Sequence, residues 1–88
     1  MKHDVVSETC QKIVAIIDKE IAKKDYIEVR LENMMDECRS PKLKLRLHII
    51  RKGIQSSQIV SDCLLPDDIG RIHEIVVKDC EMRQVKYG

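Results

Sequence analysis

Apolar residues recur along this chain at two different periods, and one segment satisfies both. In Ser40–Gly53, SPKLKLRLHIIRKG, the residues from Lys42 to Ile49 alternate polar and apolar without a break. The same letters set Leu43, Leu47, Ile50 and Ile54 at helical spacing. The outer parts of the chain are less ambiguous. Val6, Cys10, Ile13, Ile16, Ile17 and Ile21 recur at three- and four-residue intervals, the single apolar stripe of a helix of about five turns. Asp4 or Ser7 is placed to cap it. Near the other end, Leu65-Pro66-Asp67-Asp68 reads as a helix start, and Ile69, Ile72, Ile75, Val76 and Cys80 supply the stripe.

The middle of the chain is read mainly from start signals. Asp25 and Glu28 stand in capping-box spacing ahead of Ile27, Leu31, Met34, Met35 and Cys38. Val29 falls off that stripe. Ser40-Pro41 pairs a good cap with a residue favoured at the first helical position, and the Lys, Leu and Arg that follow are strong helix formers. The expected fold is therefore all-α: a single domain over 1–88, a compact four-helix bundle with helices near 4–24, 25–38, 41–53 and 66–84. The helix reading of 41–53 leaves Leu45 and Ile49 off the stripe, so that helix is apolar on two sides. The alternative is an α+β sandwich in α-β-β-β-α order, with strands near 26–32, 42–50 and 54–60. It buries Leu43, Leu45, Leu47 and Ile49 on one face and exposes Lys42, Lys44, Arg46 and His48.

Charge adds an asymmetry that net composition hides. The formal net charge is only +1. Residues 1–37 hold six Lys/Arg against nine Asp/Glu, and residues 61–88 hold four against six. Residues 38–60 hold six Lys/Arg and no acid. The basic charge is thus concentrated in the segment whose fold is ambiguous. With no Trp, no Phe and two Tyr, the chain lacks the aromatic platform on which single-stranded nucleic acid stacks.

Candidate chemistry is sparse. No G-x-S-x-G, Walker loop, H-E-x-x-H or dinucleotide fingerprint occurs, and three glycines leave little room for a phosphate-cradling loop. The expectation is a protein that is not an enzyme, with no catalytic residue and no cofactor. Cys10, Cys38, Cys63 and Cys80 form no C-x-x-C and read as small buried hydrophobes. With His3, His48 and His73 they show no metal-ligand spacing, so no metal site is expected. No segment is long and apolar enough to span a bilayer, and the first residues lack a signal-type apolar core. An intracellular, reducing compartment, cytoplasmic or nuclear, follows as the expectation.

What remains is binding. The expected role is a non-enzymatic interaction or adaptor protein within a larger regulatory assembly, meeting another protein or a second copy of itself. The expected contact residues are Arg39, Lys42, Lys44, Leu45, Arg46, Ile49, Arg51 and Lys52, an apolar anchor with a basic rim. The alternative is a helix-turn-helix nucleic-acid-binding regulator with 41–52 as recognition helix.

Overall fold

The two outer stripes form the two helices found among the described residues. In a computed structural model, which describes residues 4–35 and 37–88, α1 (Val5–Ile21) buries Val6, Thr9, Cys10, Ile13 and Ile17. Asp4 caps it, its Oδ1 accepting from the Val6 N–H at 3.0 Å. The second helix, α2 (Pro66–Arg83), opens on Pro66 with Asp67 and Asp68 in the first turn, and buries Ile69, Ile72, Val76 and Cys80. His3 lies outside the described residues.

Between these helices the all-α bundle is overturned. The segments expected as helices 25–38 and 41–53 carry strands β1 (Ile27–Met34) and β2 (Leu43–Arg51), followed by β3 (Ile54–Leu64). A two-residue strand, β4 (Lys86–Tyr87), follows α2. The four strands form one sheet in the order β3-β2-β1-β4, antiparallel except for β4, which runs parallel to β1. The α+β alternative, with its three central strands, matches this arrangement; β4 is an addition to it.

Magnitudes explain the correction. Helix propensity separates ordinary residues by a few tenths of a kcal/mol each. Fully burying a Leu, Ile or Val side chain is worth about 1.5–3 kcal/mol. As a helix, 25–38 leaves Val29 outside its stripe, and 41–53 leaves out Leu45 and Ile49. As strands, the same segments bury Ile27, Val29 and Leu31 from β1, and Leu45, Leu47 and Ile49 from β2, all on one face. The start signals serve other ends. Asp25 accepts from the Tyr26 N–H at 2.8 Å in the turn before β1, not as a helix cap. Ser40-Pro41, joined by a cis peptide, belongs to the turn that leads into β2.

Lys52 and Gly53 make the hairpin turn between β2 and β3, with φ of 53° and 77°. Positive φ at both central residues is the two-residue turn whose twist matches antiparallel strands. It fixes the register: Arg51 faces Ile54, Ile50 faces Gln55, Ile49 faces Ser56 and His48 faces Ser57. Toward the far end the pairing slips, so that Leu45 faces Ser61 and Leu43 faces Leu64.

Both helices pack on the same face of the sheet, α1 toward β3 and α2 toward β4, and touch each other. The core lies between sheet and helices. Among the described residues nothing forms a covering layer on the opposite face.

Candidate functional site

The uncovered face collects the outward residues of each strand. Across β1 and β2, Glu28 faces Ile50, Arg30 faces His48, Glu32 faces Arg46, and Met34 faces Lys44. On β3, Gln55, Ser57 and Ile59 continue these rows beside Ile50, His48 and Arg46.

His48 sits at the centre and is only 5% exposed, although no helix covers it. Both ring nitrogens are engaged. Nε2 lies 2.7 Å from Glu32 Oε1, and Nδ1 lies 2.5 Å from Ser57 Oγ and 2.9 Å from Gln55 Nε2. A carboxylate only accepts, so Nε2 carries the proton and Nδ1 presents its lone pair to the Ser57 hydroxyl. This draws Glu32 away from Arg46, which it directly faces.

Among the described residues Arg46 is consequently left without a partner. Its Nε is buried and makes no hydrogen bond, and its guanidinium forms no ion pair among the described residues. Arg51 Nε also lacks a partner, but the rest of that side chain is engaged, as described below. Arg30, on the same face, is likewise free of ion pairs among the described residues.

The residues expected to bind divide into three groups. Arg39 and Lys42 lie exposed in the loop before β2, and Arg46 lies on the open face. Lys44 also points outward, but Glu37 at 3.0 Å and Asp62 at 3.7 Å hold it. The Glu37 hydrogen bond, aided by Asp62, raises its pKa above the ordinary lysine value. Arg51 is held within the fold, donating to the Glu20 carbonyl and reaching Asp25 at 3.3 Å, while Lys52 is exposed and reaches Asp25 at 3.5 Å. Leu45 and Ile49 face the helices, 0% and 6% exposed, and belong to the core. On the open face the apolar positions are instead Ile59, exposed, with Ile50 and Met34 half-buried.

Arg30, Glu32 and Ser57 were not among the expected site residues. Their signal was present in the alternating reading of 26–32, which turns Arg30 and Glu32 outward together. A two-residue turn at Lys52-Gly53 likewise sets His48 opposite Ser57 once both flanks are strands.

The cysteines split. Cys10 and Cys80 are free and buried, and burial raises both thiol pKa values, that of Cys80 to about 11. These two fit the expectation of small buried hydrophobes. Cys38 and Cys63 are instead bonded to each other as a disulfide, tying the β1–β2 loop to the end of β3. With Asp62 they bring three donor atoms within 4.8 Å. In the disulfide the sulfurs are not the thiolates that a soft metal takes, and Asp62 already pairs with Lys44. A further cluster closes the chain end: Tyr87 Oη lies 2.9 Å from His73 Nδ1, and His73 Nε2 lies 3.2 Å from Asn33 Oδ1. Burial lowers the His73 pKa and raises that of Tyr87.

The recognition helix of the nucleic-acid reading does not exist, because Leu43–Arg51 is a strand. No helix is long and apolar enough to cross a membrane, among the described residues. Comparison with family models, curated proteins and solved structures finds no match to this chain.

Proposed function

We propose that this protein is an interaction module that takes an acidic protein surface on its open sheet face, as one component of a larger regulatory assembly. One observation carries the reading: the Arg46 guanidinium, on the open face, has no ion-pair partner among the described residues. An unpaired guanidinium on an uncovered face is free to take a carboxylate from outside. Arg30 adds a second guanidinium without an ion pair among the described residues, and Arg39 and Lys42 extend the charge along the β2 entry. A guanidinium takes a carboxylate in bidentate geometry. Ile59, Ile50 and Met34 supply apolar contacts between the charges, a mixture suited to a protein partner.

A protein partner is favoured over nucleic acid for two reasons. Glu28 and Glu32 share the face, so it is not a uniformly positive track. The chain also has no stacking aromatics beyond Tyr26 and Tyr87. Self-association is a separate reading, through the β3 sheet edge, which has no charged residue from Ile54 to Ser61.

Affinity capture from nuclease-treated extract tests the reading, with wild type compared against the Arg30→Glu/Arg46→Glu variant. The proposal expects a captured protein that the double variant loses. Equal capture by both removes the open face from the account. Capture that vanishes only on nuclease treatment, with a steep salt dependence, assigns the face to nucleic acid.

A further inference from the structure

The hydrogen-bond chain through His48 does more than bury an imidazole. We infer that Ser57 is a base-activated nucleophile that accepts an acyl group from a carboxylic ester bearing a good leaving group. A serine hydroxyl becomes nucleophilic when a base takes its proton and a third group orients that base. All three are present in one chain of contacts. Ser57 Oγ stands 2.5 Å from His48 Nδ1, and the opposite nitrogen stands 2.7 Å from Glu32 Oε1. Glu32 fixes the tautomer in which Nδ1 accepts; the Gln55 amide also approaches Nδ1, at 2.9 Å, but the Ser57 hydroxyl is the nearer donor at 2.5 Å. Ser57 is exposed while His48 beneath it is buried, so an ester reaches the hydroxyl from solvent and the base is shielded.

The step balances with the groups named. Ser57 Oγ bonds to the carbonyl carbon as its proton passes to Nδ1, and the resulting imidazolium is stabilised by Glu32. The carbonyl oxygen takes the negative charge, on the face that carries Arg30 and Arg46. Collapse breaks the bond to the leaving alcohol, which takes the proton back from Nδ1. The products are acyl-Ser57 and the free alcohol. Glu32 is a positioning residue, because it acts through His48.

The neighbouring serine is an internal control. Ser56 is also exposed, but it pairs with Ile49 on the other side of the strand, and its Oγ reaches only the Ile49 carbonyl at 3.5 Å. It has no base. This reactivity does not depend on a macromolecular partner, so it stands or falls separately from the docking reading.

The test treats the full-length chain with 4-nitrophenyl acetate near neutral pH and maps acetylation by peptide mass spectrometry. The expected result is acetylation of Ser57 about 100-fold faster than of Ser56, the low end of what a positioned base contributes. Glu32→Gln, checked for native far-UV circular dichroism, should slow Ser57 about 10-fold and leave Ser56 and lysine acetylation unchanged. Because His48 is buried and its replacement can unfold the chain, Glu32→Gln and the Ser57:Ser56 ratio carry the test. Equal rates at the two serines overturn the inference, as does a Ser57 rate that Glu32→Gln leaves unchanged.

Discussion

The two faces of the sheet are built from alternate residues of the same strands, yet they follow opposite rules. On the covered face Val29, Leu45 and Leu47 are at most 1% exposed and fill a continuous core. On the open face the intervening residues are Arg30, Glu32, Arg46 and His48, and the one deeply buried member is a histidine held by hydrogen bonds. The first face is where stability resides. The second is where polar groups are left short of partners. A period of two residues lets one strand serve both ends. An element with one face committed to packing keeps the other free to vary.

That comparison predicts the ranking of substitutions. The largest effect belongs to the covered face: Leu47→Ala should cost about 3 kcal/mol in urea unfolding, through lost burial and the cavity left behind. Arg46→Ala, one residue away but on the open face, should change stability by less than about 0.5 kcal/mol. A large loss from Arg46→Ala would mean that the open face supports the fold, and the contrast between the faces would fail.

Next comes the staple that joins the β1–β2 loop to β3. Cys38 and Cys63 are 25 residues apart, and a loop of that size closed by a disulfide is worth about 2–3 kcal/mol, by constraint of the unfolded chain. Cys38→Ser should lower oxidised-state stability by that amount and abolish the difference between oxidised and reduced melts. An unchanged melting temperature would show that the bond does not form in solution.

The smallest effect is a pH response from the covered side. Burial holds the folded His73 pKa below its ordinary 6.5, so the unfolded chain takes up the proton first as pH falls. The stability from neutral His73 is therefore complete above about 6.5 and is lost as pH drops toward the lower folded value. Melts at pH 7.5 and 5.5 should differ by a degree or two more in wild type than in His73→Gln. An identical pH response in the variant would remove His73 as the source.

How far the sequence reveals this molecule also depends on the face considered. Each terminal helix carries a single stripe with a cap or a proline start, so local and tertiary demands agree and the pattern suffices. In the centre they disagree. Ser40-Pro41 and Asp25 through Glu28 are local helix starts, while Val29, Leu45 and Ile49 make sense only against a layer of helices supplied by distant segments. Burial of those three outweighs the starts. The open face was partly legible, since the alternating reading exposes Lys42, Lys44, Arg46 and His48. That Lys44 is held by Glu37 and Asp62, and that His48 draws Glu32 away from Arg46, depends on contacts between residues up to 18 positions apart. No local spacing encodes these contacts.

The central claim is that the open face, and not the helical side, receives an acidic partner. The most direct measurement is a titration of ¹⁵N-labelled protein with a glutamate-rich peptide, followed by backbone amide shifts. The account predicts shifts at Arg30, Arg46, His48 and their strand neighbours, none along α1 or α2, and their loss in Arg30→Glu/Arg46→Glu. Shifts confined to the helices, or a response that survives the double substitution, would contradict it.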